Sequence, residues 1–186
     1  MKHLFVLAAL GCAPMFAQAT CQPISGTVQL LPADSCAAIE AELPGVFFLG
    51  QCFSVNLSVA GFPVARGHAG LTSEIAANAL GDVTTTPLFI PEDTDPAAVR
   101  QAVMTARSAI SVGWGRFRTT LYTSDVITVS RPQFGAFGEL TGGSVTEQIT
   151  ITHTSDQGPL RGATGTMTVL GNSIGQSAPV VGELCL

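Results

Sequence analysis

The chain has 186 residues, of which 46% are hydrophobic and only 11% are charged, with a formal net charge of −5. The length allows one domain or two small ones with a real core, and the charged share is less than half of the roughly 25% usual in soluble domains. A nucleic-acid backbone must be met by lysine and arginine, so the acidic balance argues against nucleic acid as a partner. No later apolar run approaches the ~20 residues of a membrane helix, so no transmembrane segment is expected.

The first nineteen residues follow the pattern of a secretory signal peptide. A basic start at Lys2 and His3 precedes the apolar run LFVLAAL at 4–10, and Ala-Gln-Ala at 17–19 fits the small-x-small rule for cleavage. We therefore expect residues 1–19 to be removed and residues 20–186 to form one domain. The mature protein should be secreted or periplasmic.

Period-two alternation of apolar and polar residues is the dominant pattern of the mature chain. It is clearest at 24–30, 53–59, 145–152 and 166–169, where the polar positions are mostly Ser, Thr, Asn and Gln. Such segments predict half-buried strands with one apolar face. Twenty glycines and eleven prolines punctuate the runs. Many short strands with turns between them predict an antiparallel sandwich or barrel.

Four cysteines follow the predicted signal peptide: Cys21, Cys36, Cys52 and Cys185. An even number in an exported chain predicts two disulfides, and without a CxxC or a nearby histidine pair we expect no metal site. If the first two strands form a hairpin, Cys36 and Cys52 lie near its closing loop. If the sheet closes with an even number of strands, the start of the first meets the end of the last. We therefore predict the pairs Cys36–Cys52 and Cys21–Cys185.

One segment departs from the strand pattern and predicts a short helix near 96–102. Asp95 is a good N-cap and Pro96 a good first helical residue, and residues 97–102 read AAVRQA. The acidic run at 92–95 could hold calcium in an exported protein. We prefer the helix cap, because the run lacks the glycine and the distal glutamate of an EF-hand loop.

The C-terminal third carries the most specific motif. Residues 158–171 read GPLRGATGTMTVLG. They resemble the G-x-F-x-G-A-x-G motif that enters the penultimate strand in the allene oxide cyclase-like and dirigent-like barrel family. The matching positions are Gly158, Gly162, Ala163 and Gly165, with Leu160 in place of the aromatic residue. Ser-Asp-Gln at 155–157 replaces the family's usual glycines. The resemblance covers roughly residues 104–185.

The resemblance implies a closed antiparallel β-barrel of about eight strands, lipocalin-like in shape. A barrel of this size has room for packed side chains or for one small ligand. Glycine at 162 and 165 would permit positive φ and leave space inside a narrow barrel. Because dirigent-like relatives often form trimers, a homo-oligomer is a further expectation. No position matched by the motif supplies a catalytic side chain.

Three side chains are the candidates for catalysis. His153 shares the parity of Ile149 and Ile151, so it would face inward, as a general base or, in the reading we prefer, as a structural barrel residue. Glu147 and Glu183 stand within apolar alternations. If either faces a dry interior its pKa should rise, whereas a local bulge would turn it outward.

The large amphipathic aromatic residues, Trp114 and Tyr122, are the candidates for ligand contact at a barrel mouth. The chain lacks the nucleophile motifs G-x-S-x-G, H-E-x-x-H and S-x-x-K as well as phosphate loops, so no cofactor is expected. We favour a non-enzymatic barrel that binds a small apolar ligand or serves as an extracellular interaction module. The alternatives are a cyclase or isomerase acting on a lipophilic substrate in the cavity, and a self-assembling surface protein.

Overall fold

The computed structural model describes residues 20–77, 83–95, 98–136 and 140–186, so the predicted signal peptide at 1–19 lies outside the described residues. These residues form one short helix, one 3-10 turn and a series of strands. In chain order the elements are β1 (Cys21–Pro32), α1 (Ala37–Glu42), β2 (Phe48–Val59), β3 (Phe62–Thr72), β4 (Ile75–Ala77), β5 (Val83–Thr85), β6 (Leu88–Pro91), β7 (Val99–Val112), the 3-10 turn (Gly115–Phe117), β8 (Thr119–Phe134), β9 (Leu140–Thr154), β10 (Thr164–Leu170) and β11 (Ser177–Cys185). Within the described ranges, no helix has the length and apolar character needed to cross a membrane.

Eight strands close into an antiparallel barrel, which confirms the predicted fold class. Their order is β3-β2-β1-β11-β10-β9-β8-β7, and β3 pairs with β7 to complete the ring. β6 adds an extra strand beside β7, while β4 and β5 form a separate two-stranded sheet. Closure pairs the strand edges that would otherwise be free to recruit other chains.

The connections between strands define two ends of the barrel. At the end we call the lower end lie the connections at 60–61, 113–118 and 155–163, with the start of β1 and the end of β11. At the upper end lie the connections at 33–47, 73–98 and 171–176.

Alternate residues of every barrel strand pack into the lumen, as the period-two pattern predicts. The larger apolar cluster lies in the lower and middle lumen and includes Val28, Val55, Ile110, Leu121, Ile149 and Val180. A smaller apolar cluster of Ala102, Met104 and Val129 lies toward the upper end. Because the two clusters occupy most of the interior, the lumen is largely a packed core.

The predicted helix near 96–102 is wrong. Residues 99–102 begin β7, and residues 96 and 97 lie outside the described residues. Ala102 is fully buried and pairs with Phe89 on one side and Val129 on the other, so strand pairing overrides its local helix propensity. The helix of the structure is α1, which packs on the outside of the barrel through the buried Ile39.

Both predicted disulfides are present. Cys21 and Cys185 are direct partners in the β1–β11 ladder, so this bridge joins the first and last barrel strands at the lower end. Cys36 and Cys52 are bridged at a Cα–Cα distance of 5.3 Å and tie the start of α1 to β2. An even strand number makes the first and last strands antiparallel, so the topological argument for the pairing holds.

The glycine motif forms the lower-end loop that leads into β10. Gly158, Gly162 and Gly165 all have positive φ, of 82°, 78° and 152°. Gly165 also lies against the backbone of Glu183 so closely that a Cβ there would collide with it. Ala163 between them is buried. The motif therefore lets the chain turn into β10 and lets the start of β10 lie close to the backbone of β11. This agrees with the conformational role predicted for glycine at 162 and 165.

Candidate functional site

The lower end of the lumen contains an apolar cavity of about 150 Å³. Side chains of β1, β2, β3, β7, β8, β10 and β11 line it, and no charged side chain is among those lining residues. The walls include Ile24, Leu57, Ala65, Val112, Leu121 and Val180. A cavity of this character is a place for an apolar group, because it offers no partner to a charge or an amide.

The loop at 155–163 crosses this end of the barrel and closes part of it. Its Leu160 lines the cavity and packs on the apolar cluster. The Leu160 N–H donates a hydrogen bond to Oγ1 of the fully buried Thr119 at 3.1 Å, which holds the loop against the start of β8. The loop is thus anchored beside the cavity, at the same end of the barrel as the turns at 60–61 and 113–118.

Three exposed aromatic rings stand on those turns. Phe62 is 72% exposed and is the direct cross-strand partner of Val59, which lines the cavity. Trp114 and Phe117 are 83% and 59% exposed, and they follow Val112, another lining residue. Val112 pairs with Ala65 of β3, so the two turns are adjacent. Trp114, expected at a barrel mouth, therefore lies at the cavity end of the barrel with its side chain exposed.

Buried polar side chains lie together on the inner faces of the neighbouring strands β7, β8 and β9. Asp125 on β8 is fully buried and Glu147 on β9 is 9% exposed. The register makes these acids diagonal neighbours, because Asp125 pairs with Ile149 and Glu147 with Ile127. Ser108 Oγ donates a hydrogen bond to Asp125 Oδ2 at 2.6 Å.

The pKa values of both acids are raised by this environment. Burial raises the pKa of Asp125 to about 6, against the opposing effects of the Ser108 and Thr123 hydroxyls and the charge of Arg107. Burial, and then the charge of Asp125, raises the pKa of Glu147 to about 8. Glu147 is therefore mostly protonated at neutral pH, because burial disfavours its charged form.

Asp125 was missed by the sequence analysis, and its burial is the main unexpected feature of the lumen. In the segment Ser-Asp-Val-Ile-Thr-Val at 124–129, apolar residues fall on both parities, so alternation does not choose which face is inside. Asp125 Oδ1 and Thr123 Oγ1 are buried without a hydrogen-bond partner among the residues that the structure describes. Neither acid lines the apolar cavity.

The other two catalytic candidates do not face the lumen. Glu183 is exposed on the outer face of β11, because Val180 and Gly182 take the inward parity. His153 was expected to face inward, and this is wrong. A register shift between Tyr122 and Thr123 of β8 inserts an extra residue in β9 and turns His153 to the exposed outer face.

On that outer face His153 and Tyr122 come together in a groove of about 640 Å³. Their rings stack with a centroid separation of 4.3 Å and an interplanar angle of 9°. Across the groove, Arg107 Nε donates to Glu74 Oε1 at 2.7 Å. The hydrogen bond found for His153 joins Nδ1 to Thr152 Oγ1 at 3.2 Å, and no carboxylate of the described residues contacts the imidazole. Glu74, the acid of the groove, is paired with Arg107, so among the described residues no acid orients His153 as a general base.

Comparison with known proteins does not assign the chain to a family. No protein-family model matches the chain, and no curated protein or solved structure is significantly similar to it. The described residues contain no cluster of three or more His, Cys, Asp or Glu side chains that could hold a metal ion. The resemblance of residues 104–185 to the allene oxide cyclase-like and dirigent-like family stays a prediction, while the barrel itself is established by its strand pairing.

Proposed function

We propose that this chain is an exported binding protein that holds the apolar part of a small molecule in the lower-end cavity. The observation that carries the proposal is the cavity itself, a space of about 150 Å³ lined by apolar side chains and bordered by exposed aromatic turns. Export is supported by the signal-like pattern at 1–19 and by the two disulfides.

The size of the cavity limits the ligand class. Apolar protein cavities of roughly 150 Å³ accept molecules as large as benzene, whereas pockets for drug-sized ligands usually span about 300–1,000 Å³. A larger ligand would place one ring or the end of an alkyl chain inside and leave its polar part at the opening. Burial of such a group contributes about 1.5–3 kcal/mol, less than the roughly 4 kcal/mol of millimolar binding. Contacts at the opening must supply the remainder.

Native mass spectrometry of the protein purified from its own host tests the proposal. We expect a reproducible added mass that leaves on mild activation. Ala65→Leu and Val112→Phe each fill the cavity and should abolish the added mass, because both side chains line it. Thr27→Leu is the matched control, since it enlarges an exposed side chain on the outer face of β1 and should keep the added mass.

A titration with benzene followed by NMR measures the cavity directly if no ligand survives purification. The wild type should show shifts of the methyl signals of lining residues such as Leu57 and Val180 that grow with benzene concentration. Both filled variants should show none. Absence of shifts in the wild type, or equal shifts in the filled variants, contradicts a binding cavity.

A cyclase or isomerase is the second candidate, and the buried acid pair is the observation that favours it. Glu147, protonated near neutral pH, could donate a proton and Asp125 could accept one. The geometry favours binding, because neither acid lines the cavity. Once a ligand is known, turnover that is lost in Asp125→Asn and Glu147→Gln would place the reaction in the lumen. Unchanged ligand mass after incubation would support binding alone.

A further inference from the structure

We propose that the lower end of the barrel docks on an anionic lipid surface. The exposed rings of Phe62, Trp114 and Phe117 would enter the interface, and Arg116, Arg118 and Arg161 would face the lipid headgroups. We call these six residues the rim. Docking goes beyond the proposed function and does not require it, because a barrel with a filled cavity would present the same rim.

The rings of the rim are unusually exposed for their size. Phe62, Trp114 and Phe117 lie on two adjacent turns, and each is more than half exposed. Trp114 is the chain's only tryptophan. Tryptophan and phenylalanine are the side chains that anchor peripheral proteins in the headgroup region of a bilayer. Several large rings exposed together on one end of a barrel mark an interaction surface.

The arginines of the rim lie just before β8 and in the loop that packs against the start of β8. Arg116 lies over the Phe117 ring, with its guanidinium carbon 5.1 Å from the ring centroid. Arg118 adjoins the loop at 155–163, because Gly158 packs against the Arg118 carbonyl. Arg161 belongs to that loop, next to the Leu160 that is bonded to Thr119. All three arginines are exposed.

Most exposed or half-buried acidic residues of the described chain lie at the upper end, away from the rim. At the lower end are Asp156, in the loop at 155–163, and Glu183, which lies on β11 three strands away from β8 around the barrel. The other exposed or half-buried acids lie in the upper-end connections at 33–47 and 73–98. The chain is acidic overall, yet three of its arginines lie together with the three exposed rings of the rim at the lower end.

This distribution favours a lipid surface over a second copy of the chain. Two rims placed face to face would bring like charges together, which opposes association. An anionic bilayer accepts the arginines at its headgroups and the rings at its interface. The overall negative charge orients the molecule, since the upper end would be repelled while the rim is attracted.

Vesicle binding by the exported, disulfide-bonded protein tests the proposal, with Trp114 as an intrinsic probe. We expect co-sedimentation with vesicles of equal phosphatidylglycerol and phosphatidylcholine, together with a blue shift of tryptophan emission. Vesicles of phosphatidylcholine alone should bind much more weakly. Raising the salt concentration should weaken binding to the anionic vesicles.

Two sets of variants separate the rim from general charge. Arg116→Gln/Arg118→Gln/Arg161→Gln should lower the partition coefficient roughly 100-fold, as expected for three arginines near an anionic surface. Arg66→Gln/Arg100→Gln/Arg131→Gln makes the same change in net charge on exposed residues outside the rim and should have little effect. Equal losses in the two triple variants would overturn the proposal.

The aromatic part of the rim is tested by Phe62→Ser/Phe117→Ser, which changes exposed side chains and should leave the unfolding temperature close to that of the wild type. Loss of binding and of the emission shift is the expected result. Absence of wild-type binding, or self-association that Phe62→Ser/Phe117→Ser removes without any vesicle binding, would overturn the proposal and assign the rim to contacts between copies. Ala65→Leu, with its cavity filled, should bind vesicles like the wild type, so failure of the cavity and failure of docking are distinguishable.

Discussion

The buried acid pair makes the stability of this barrel depend on pH, and Glu147→Gln tests the reason. The pKa of Glu147 is about 8 in the folded chain against 4.5 for an ordinary glutamate. Between these values the folded chain keeps a proton that the unfolded chain has released. Unfolding therefore releases a proton in this range, and the free energy of unfolding falls as pH rises from about 4.5 to about 8.

The size of this effect follows from the displacement of the pKa. One unit corresponds to about 1.4 kcal/mol, so the rise from 4.5 to about 8 corresponds to about 5 kcal/mol lost between acidic and alkaline conditions. Asp125, raised from 3.8 to about 6, acts in the same direction over a lower pH window. A loss of this size is a large part of the 5–15 kcal/mol that stabilises a typical domain.

Glu147→Gln keeps the shape of the protonated acid and removes its titration. At pH 5 the variant should have nearly the wild-type free energy of unfolding. At pH 9 it should be several kcal/mol more stable than the wild type, because position 147 then carries no charge that folding has to bury, whereas the charge of Asp125 is buried in both proteins. Urea unfolding of the disulfide-bonded protein at pH 5, 7 and 9, followed by circular dichroism, measures this difference.

Glu183→Gln is the matched control, since Glu183 is exposed on β11. It removes an identical charge and should leave the pH profile of the wild type unchanged. A wild-type free energy of unfolding that is constant from pH 5 to pH 9 would refute the reasoning. So would a Glu183→Gln profile that matches that of Glu147→Gln, because burial could not then be the cause.

Two further predictions concern the covalent and backbone restraints of the barrel. Replacing Cys21 and Cys185 by serine opens a link across 164 residues and should lower the free energy of unfolding by roughly 5 kcal/mol. Replacing Cys36 and Cys52, which are linked across 16 residues, should lower it by roughly 3 kcal/mol. Urea unfolding under non-reducing conditions should give this order, and the reverse order would contradict the loop-entropy argument. Gly165→Ala should cost about 1–3 kcal/mol, because its φ of 152° is nearly restricted to glycine and a Cβ would meet the Glu183 backbone; an unfolding temperature equal to that of the wild type would show that this backbone can shift without cost.

Much of the fold could be predicted from the sequence, because strand alternation and the number of cysteines can be identified without knowing which strands pair. Alternation with period two specifies strands, since successive side chains of a strand point to opposite faces. An even number of strands in a closed antiparallel ring places the first beside the last, so the pairing of Cys21 with Cys185 followed from topology. Gly162 and Gly165 also have the positive φ values expected of them.

The predicted helix near 96–102 is wrong because strand pairing outweighs the helix propensity of its residues. Ala102 lies in a stretch with good helix formers, but in the barrel it is fully buried between β6 and β8. Ladder hydrogen bonds and burial on both sides outweigh a propensity difference of less than about 1 kcal/mol per residue. The Ala-Ala-Ile-Glu-Ala-Glu segment of α1 has equally good helix formers and lies outside the ring, where no ladder competes.

The candidate site depended on contacts that no local pattern contains. One extra residue in β9 reversed the side of His153, and a bulge of one residue leaves no clear trace in an alternating sequence. Asp125 went unnoticed because both faces of its strand carry apolar residues. The chain alone determined that strands form and that the cysteines pair, because period-two alternation and cysteine number are local properties, whereas the alternation by itself left a sandwich and a closed barrel open. Only the tertiary structure decided which acids share the lumen and where the cavity opens, because register and closure bring together residues far apart in the chain.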